Sequence, residues 1–312
     1  MTLVIYDPRF LDHDTGLHPE NSNRLVSISK RLHIPEGAGT DLIDRYGDDA
    51  VYKILNGLHD PSQITYVRSL ARNGGGSLDA DTVVSEGSFD AAFLALKAAM
   101  AAVDAVQSSS QKTAMCLLRP PGHHATSRQS MGFCLFNNVA FAARYAQSLG
   151  LQKVLIVDWD VHHGNGTQEI FYEDDSVFFF SMHRFPFYPG TGSEGETGSR
   201  QGLGLTLNLP VAMGTSRTDI LAGFQKGIEQ AAQKIKPELI LISAGFDAHK
   251  NDPIGSLGLE SADFETMTHM VKNVAKVYSQ DRVISFLEGG YQPQALAESV
   301  NLHLEALKHP TK

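Results

Sequence analysis

Acidic side chains and histidines cluster at one point of the sequence, directly after an apolar run. Val154–Val157 is a continuous aliphatic stretch of the kind that forms a strand buried on both faces. Asp158, Asp160 and His162 follow at every second position, so an extended backbone places these three side chains on one side. Because open α/β sheets carry their chemistry at the carboxyl ends of strands, the cluster indicates a functional site rather than a solvated strand end.

Further apolar runs end in residues that could join the same chemistry. They are His123 and His124 after residues 114–118, Asp247 after residues 239–243, and Tyr291 after residues 283–287. In a parallel sheet these strand ends meet at one edge. Asp160, His162 and Asp247 would then supply two carboxylates and one imidazole, a set that suits zinc with open positions and also admits iron(II). An open position lets such a metal activate water and polarise a carbonyl.

The remaining residues of this group could move protons and stabilise charge. His123 and His124 are adjacent imidazoles that titrate near neutral pH, and Asp158 and Asn165 are candidates to orient them. Tyr291 follows two glycines and could donate a hydrogen bond to a developing oxyanion. Each of these residues alone is more often structural. Their joint position at predicted strand ends indicates hydrolytic chemistry.

The apolar runs that must position these residues alternate with helical patterns along the whole chain. The predicted strands cover residues 3–6, 114–118, 154–157, 177–182, 205–209, 239–243 and 283–287. This alternation favours an α/β fold with parallel pairing through right-handed crossovers. No linker, repeat or shift in composition divides the chain, so we expect a single domain over residues 1–312. Residues 184–204 form a long aromatic-containing segment that predicts a folded loop lining a site.

Composition narrows the classes of partner. The chain of 312 residues has a formal net charge of −9 and no basic block, which argues against direct nucleic-acid binding and suits cationic ligands or lysine-rich tails. No apolar run approaches the ~20 residues of a membrane helix, and the amino terminus lacks signal-peptide features. Cys116 and Cys134 are the two cysteines, so no disulfide framework is indicated and a cytoplasmic location is expected.

Several motifs together resemble the zinc-dependent histone deacetylases. They are Arg-Pro-Pro-Gly-His-His, Gly-Phe-Cys-Leu-Phe-Asn-Asn, Val-Asp-Trp-Asp-Val-His-His-Gly-Asn-Gly, Ser-Ala-Gly-Phe-Asp and Glu-Gly-Gly-Tyr. The similarity extends from the His18-Pro-Glu segment to Tyr291, and Trp159 and Asn165 resemble the class II branch and its bacterial relatives. The resemblance implies the arginase/deacetylase fold, a single α/β domain whose central, mostly parallel, eight-stranded sheet is flanked by helices.

The resemblance also implies two kinds of metal site. Zinc would be held by Asp160, His162 and Asp247. Family members bind a structural potassium ion through positions that correspond here to Asp158, Asp160, His162, Ser181 and the backbone carbonyl of Met182.

Roles for the catalytic residues follow from the same resemblance. His124 would be the general base and acid, backed by Asn165, and His123 an electrostatic histidine backed by Asp158. Tyr291 would be the catalytic tyrosine.

Four residues correspond to the substrate-binding part of the family's site. Asp81 aligns with an acidic residue at the rim that holds the substrate backbone in some members. Phe133 and Tyr188 match the aromatic pair that lines the acyl-lysine tunnel, with tyrosine at the second position where phenylalanine is commoner. Ile254 stands where polyamine-selective relatives carry a glutamate, so the carboxylate that favours a second amine is absent.

These features together predict zinc-dependent hydrolysis of the amide of N-acetyl-lysine in proteins or peptides. One alternative is deacetylation of small N-acyl amines such as acetylpolyamines. A second is a weakly active acyl-lysine binding module, against which Tyr291 and the histidine pair count. A third is an arginase-like two-metal ureohydrolase, which would need further carboxylates where Phe246 and Ala248 flank Asp247. The physiological substrate and the oligomeric state stay open.

Overall fold

A parallel β-sheet flanked by helices forms the centre of the computed structural model, which describes residues 2–108 and 111–309. The strands of the chain are β1 (Thr2–Tyr6), β2 (Gly76–Ser77), β3 (Val83–Val84), β4 (Thr113–Leu117), β5 (Val154–Asp158), β6 (Val177–Arg184), β7 (Thr206–Val211), β8 (Leu239–Ala244) and β9 (Val283–Leu287). Seven of them form the sheet in the spatial order β1-β4-β9-β8-β5-β6-β7, and every neighbouring pair is parallel. β2 and β3 form a separate antiparallel hairpin.

The order of the strands brings the predicted chemistry together. β4, β9, β8 and β5 are consecutive neighbours in the sheet, and all their residues are buried. Their aliphatic runs fill the space between helical layers, as expected for strands covered on both faces. Because all four run in the same direction, their carboxyl ends lie side by side at one edge.

The strand count differs from the eight that the family resemblance implied. Seven strands form the central sheet within the described residues, and they are the seven that the apolar runs predicted, with ends that shift by one or two residues. The hairpin of β2 and β3 was not predicted. Its strands are two residues long, and β2 begins at the last of three consecutive glycines, so they carry no alternating pattern of apolar residues.

The helices connect the strands and cover the sheet. They are α1 (Asn23–Leu32), α2 (Thr40–Ile43), α3 (Asp48–Leu55), α4 (Pro61–Arg72), α5 (Ser88–Ser108), α6 (Asn138–Ser148), α7 (Asn165–Phe171), α8 (Arg217–Ile235), α9 (Ser261–Tyr278) and α10 (Pro293–Lys308). α4 begins at Pro61, whose fixed φ suits the first position of a helix, and the Asp60 carboxylate accepts from the Ser62 N–H. The short helices α2 and α3 were not predicted, since four and eight residues hold too little periodic pattern.

Within the described residues, no helix combines the length and apolar character needed to cross a bilayer. Cys116 and Cys134 are both buried and carry free thiols.

Candidate active site

Three side chains that were predicted as metal ligands lie together at the carboxyl edge of the sheet. Asp160 and His162 follow β5, and Asp247 follows the neighbouring strand β8. His162 Nδ1 lies 3.1 Å from Asp160 Oδ1 and 3.1 Å from Asp247 Oδ2. One potential ligand atom from each residue falls within 4.8 Å of the others, and all three residues are buried. The geometry therefore gathers two carboxylates and one imidazole around one point.

Backbone groups fix the orientation of the two carboxylates. Val161 N–H donates to Asp247 Oδ1 over 2.9 Å, and Gly289 N–H donates to Asp160 Oδ2 over 2.8 Å. A Cβ atom on Gly289 would lie 2.3 Å from Asp247 Oδ2 and 2.6 Å from Asp160 Oδ2. Only glycine fits there, because the Cβ atom of any other residue would push both carboxylates out of position.

The charges of this group fit a divalent cation. Burial raises the pKa of Asp247, and the negative charge of the neighbouring Asp160 raises this pKa further, to about 7. Burial opposes the ionisation of Asp160 as well, yet the charge of His123 and the hydrogen bond with His162 outweigh it and lower that pKa. Two carboxylates in such a dry space need a positive charge between them. The mixed oxygen and nitrogen donors suit zinc or iron(II), and the described residues therefore fit the predicted ion.

The two predicted histidines have different hydrogen-bond partners. His123 Nδ1 lies 3.0 Å from the Asp158 carboxylate, whereas His124 Nδ1 lies 2.7 Å from Asn165 Oδ1. The Asn165 amide nitrogen faces Met131 Sδ, so its oxygen is the atom that accepts from His124. With the proton on Nδ1, His124 keeps a lone pair on Nε2.

Burial and neighbouring charges separate the proton affinities of this pair. Burial disfavours the charged form of His123, but Asp158 and Asp160 outweigh that effect and raise its pKa well above the usual value. The pKa of His124 is held well below its usual value by burial, and the charges of His123 and His162 lower it further. Neighbouring titratable groups with such opposed environments can divide acid and base roles between them. These environments favour a neutral His124 ring and a cationic His123 ring.

Tyr291 reaches the same site from the end of β9. Its ring packs edge-on against Phe133 with centroids 5.7 Å apart, and the Arg24 guanidinium lies 5.1 Å from its centroid. Burial raises the pKa of the phenol well above 10; Arg24 counteracts this in part, and the charge of Asp247 adds to it. The hydroxyl therefore stays protonated and able to donate.

Two buried acids that sequence reasoning did not assign hold this machinery in place. Glu288 Oε2 accepts from the N–H groups of Gly122 and His123 over 2.7 and 3.2 Å, which anchors the histidine loop. Asp252 Oδ2 accepts from the Tyr291 N–H over 2.6 Å. Glu288 ends a buried strand and could have been found from that position. Asp252 lies in a loop without any periodic signal.

Arg24, on α1, is buried beside the site. Its Nε donates to the Gly290 carbonyl over 2.7 Å, and its Nη1 donates to Glu20 Oε1 over 3.0 Å. Arg119 also donates to both oxygens of Glu20, over 2.6 and 2.8 Å. These buried charges clamp the turn before Tyr291 to the amino-terminal part of the chain.

We expect the substitution Glu20→Gln to lower the free energy of unfolding. The change keeps the shape of the side chain but leaves two buried guanidinium groups without their counter-charge, which costs about 3–5 kcal/mol. Urea unfolding monitored by circular dichroism measures the difference. Asp60→Asn, an exposed cap at the start of α4, serves as the control and should cost far less. Equal losses in both variants would contradict the clamp.

Aromatic rings lie around the predicted ligands. Tyr188, which is 43% exposed, lies 5.2 Å from the His124 ring and 6.1 Å from the His162 ring by centroid distance. Phe187 stacks on His162 at 5.1 Å with an interplanar angle of 15°. Phe133 stands on the side of Tyr291. The predicted pair Phe133 and Tyr188 thus lies at the site together with Phe187, whose direct contact with a predicted ligand was not foreseen.

The remaining predicted substrate residues lie farther out. The side chain of Asp81 is 71% exposed, and its Oδ1 lies 3.5 Å from His18 Nε2. The His18 ring in turn packs edge-on against Phe133 at 4.5 Å. Ile254 is half-buried, and its N–H donates to Asp252 Oδ1, the carboxylate that also anchors Tyr291. Asp81 therefore borders the aromatic walls, whereas Ile254 joins the site through the backbone.

Comparison with known proteins places the chain in a family. Residues 18–307 match the histone deacetylase domain. The chain belongs to the histone deacetylase family. The crystal structure of the HDA15 HD domain superposes with a TM-score of 0.88 at 35% identity, over 100% of this chain and 89% of that one.

Three relatives have names that contain the word deacetylase. The "Histone deacetylase 14, chloroplastic" of Arabidopsis thaliana is 37% identical over 95% of this chain and 74% of its own. The "Probable deacetylase" of Archaeoglobus fulgidus is 34% identical over 98% of this chain and 86% of its own. The "Histone deacetylase-like amidohydrolase" of Pseudomonas aeruginosa is 36% identical over 88% and 71%. Family membership makes this histone deacetylase homologue an amidohydrolase of the deacetylase type.

Proposed function

We propose that the protein hydrolyses the amide bond of N-acetyl-lysine side chains in proteins or peptides, with zinc or iron(II) as its metal. The observation that carries the proposal is the convergence of Asp160, His162 and Asp247 below a space walled by aromatic rings. A metal held by these residues would polarise the acyl carbonyl and lower the pKa of a bound water. The aromatic walls suit the aliphatic stem of lysine, because apolar contact needs no polar partner.

The chain's own residues account for the proton transfers. His124 Nε2 carries the lone pair and takes a proton from the attacking water as the new carbon–oxygen bond forms. Tyr291 donates its hydroxyl proton in a hydrogen bond to the former carbonyl oxygen as negative charge develops there. His124 then returns the proton to the lysine nitrogen while the carbon–nitrogen bond breaks. The products are a free lysine amine and acetate.

His123 has an electrostatic role in this scheme. Its ring lies 4.0 Å from the ring of His124 by centroid distance, and Asp158 keeps it cationic. A cation beside His124 lowers the proton affinity of that ring, so His124 releases its proton to the leaving nitrogen more readily. Asn165 supplies orientation without a charge that would oppose this effect.

Asp158 also bears on the predicted potassium ion. It pairs across the sheet with Ser181, and both residues are buried. This register supports a structural potassium site between the end of β5 and the middle of β6.

Charges near the mouth favour a peptide over a polyamine. Arg184 donates to the Gly255 carbonyl, next to Ile254, over 3.0 Å, and its guanidinium lies 4.2 Å from the Phe187 ring centroid. The second ammonium of an acetylpolyamine would meet this cation and no carboxylate at position 254. Position 254 would therefore offer no charge to offset the desolvation of that ammonium.

We expect kcat/KM for an acetyl-lysine peptide to exceed that for N-acetylspermidine by about tenfold or more, which corresponds to ~1.4 kcal/mol in transition-state binding. Acetate release from both substrates, measured with the purified metal-loaded protein, tests this. Ile254→Glu is the diagnostic variant, and it should move the ratio towards the polyamine. A tenfold preference of the wild-type protein for the polyamine would establish the small-amine alternative. Tight peptide binding without any acetate release would establish the binding module.

A further inference from the structure

The aromatic residue Phe133 has a backbone conformation that is rare for a bulky side chain. Residues 131–134 form a tight turn in which Met131 N–H donates to the Cys134 carbonyl over 3.1 Å and Cys134 N–H donates back over 3.0 Å. Gly132 and Phe133 occupy the two central positions with φ of 56° and 71°. Glycine adopts such angles freely, whereas a bulky side chain does so only when its surroundings enforce it.

An acceptor from a distant part of the chain completes this turn. The turn's own hydrogen bonds use the amides of Met131 and Cys134, so the Phe133 N–H finds its partner elsewhere. Thr82 Oγ1 accepts from it over 3.2 Å, and Thr82 is fully buried. The hydroxyl therefore satisfies an amide that would otherwise have no acceptor at the tunnel wall.

Thr82 is itself held by a second compact loop. Residues 78–82, which we name the hairpin loop, connect β2 to β3. Asp79 Oδ1 accepts from the N–H groups of Asp81 and Thr82 over 2.8 and 2.6 Å, and Leu78 N–H donates to the Thr82 carbonyl over 2.9 Å. This is an Asx-type turn, in which a short carboxylate replaces backbone partners.

The hairpin loop thus contributes to two parts of the entrance to the proposed tunnel, the rim and the aromatic wall. The hairpin loop presents Asp81 at the rim and, one residue later, the hydroxyl that fixes Phe133. His18 bridges the two, since its Nδ1 accepts from the Glu20 N–H and its Nε2 side faces Asp81 while its ring packs on Phe133. A shift of the hairpin loop would therefore move the tunnel wall and the rim carboxylate together.

We propose that Thr82 is a positioning residue that sets the width of the acyl-lysine tunnel by holding the Phe133 backbone in place. Asp79 in turn holds Thr82 in place. The inference rests on the proposed function for its consequence in catalysis. Its geometric part, the bond from Phe133 to Thr82, does not depend on a metal. Thr82 touches no reacting atom, so it acts on the fit of the substrate stem and not on the chemical step.

The variant Thr82→Val removes the hydroxyl while keeping the shape of the side chain, and Thr82→Ser keeps the hydroxyl. In Thr82→Val we expect KM for an acetyl-lysine peptide to rise about tenfold while kcat changes by less than about threefold. Affinity for a hydroxamate with a long alkyl linker should fall by a similar factor, because the linker occupies the tunnel. Affinity for acetohydroxamate, which has no linker, should change little. Thr82→Ser should restore the wild-type values.

Amide hydrogen exchange at Phe133 provides a readout that needs neither substrate nor metal. We expect this amide to exchange at least about tenfold faster in Thr82→Val than in the wild-type protein. Asp79→Ala should have the same effect. Asp79→Asn should leave the amide protected, because the asparagine oxygen still accepts both N–H groups while the charge is gone.

The outcomes separate the two proposals. Wild-type protein without turnover or hydroxamate binding would refute the proposed function, and exchange at Phe133 would still decide the positioning role. Unchanged exchange and unchanged linker affinity in both Thr82→Val and Asp79→Ala would overturn the positioning role. Equal losses for the long and short hydroxamates, or a failure of Thr82→Ser to restore binding, would also overturn it, since a general loss of stability predicts those results. If Thr82→Val does not fold, the same test is made by comparing Phe133 amide exchange and hydroxamate affinity between Asp79→Ala and Asp79→Asn.

Discussion

Replacing Tyr291 with phenylalanine is expected to lower kcat by roughly 10²–10³ while KM changes little. Burial and the nearby charge of Asp247 keep the hydroxyl protonated, so it can donate to a carbonyl oxygen as that oxygen becomes negative. A contact that strengthens in the transition state affects kcat rather than substrate affinity. The ring survives the substitution, and so do its packing on Phe133 and the backbone bond to Asp252.

The experiment compares kcat, KM and hydroxamate affinity of Tyr291→Phe with those of the wild-type protein on one acetyl-lysine peptide. Tyr66→Phe, which removes a hydroxyl from an exposed face of α4, is the matched control. Hydroxamate affinity within about threefold of wild type would show that the metal site persists. An unchanged kcat in Tyr291→Phe would remove the tyrosine from the chemistry and favour the acyl-lysine binding module.

The sheet could be predicted from the sequence because buried parallel strands carry an unambiguous signal. Runs such as Val154–Val157 are apolar at every position, and the polar residues that follow mark their carboxyl ends. The strand order was the missing information. It depends on how helices pack over the sheet, yet the rule that parallel strand ends share one edge sufficed to bring Asp160 and Asp247 together.

Partners of the site residues were predicted only where a motif implied them. Asp158 and Asn165 are 35 and 41 positions away from His123 and His124, the residues they were expected to support, and only the family motifs linked them. The structure places them 3.0 and 2.7 Å from those histidines. Gly289 donates to Asp160 from 129 positions away, and no local pattern encodes such a contact.

Features that depend on exact backbone conformation were beyond sequence reasoning. The positive φ of Phe133 and its bond to Thr82 arise from a tight turn meeting a hairpin of two-residue strands. The Asp79 carboxylate stabilises the hairpin by accepting hydrogen bonds from backbone N–H groups. The hairpin therefore needs no alternation of apolar residues, and its sequence shows no strand pattern. Arg24 illustrates the same limit, because no local pattern reveals that it shares Glu20 with Arg119, 95 positions further along the chain.

Replacing Asp160 with alanine is expected to abolish both metal binding and hydrolysis. Asp160 is one of two carboxylates in the group, and its loss leaves one imidazole and one carboxylate, too few ligands for a stable zinc site. It also removes the acceptor for Gly289 N–H, so Asp160→Asn is needed beside it. The asparagine oxygen keeps that backbone bond while the negative charge is lost, and this variant should fold and still bind metal weakly at best.

The measurement is metal content by elemental analysis after dialysis against a zinc buffer, together with acetate release from the peptide. Asp90→Asn, on an exposed position of α5, is the matched loss of a carboxylate and should keep a full complement of metal. Circular dichroism establishes that each variant is folded. Full metal occupancy in folded Asp160→Ala would exclude Asp160 as a ligand and with it the group formed by Asp160, His162 and Asp247. Loss of metal from Asp160→Asn with its fold intact would instead tie the ion to the charge at this position, because the hydrogen bond to Gly289 is the same in both proteins.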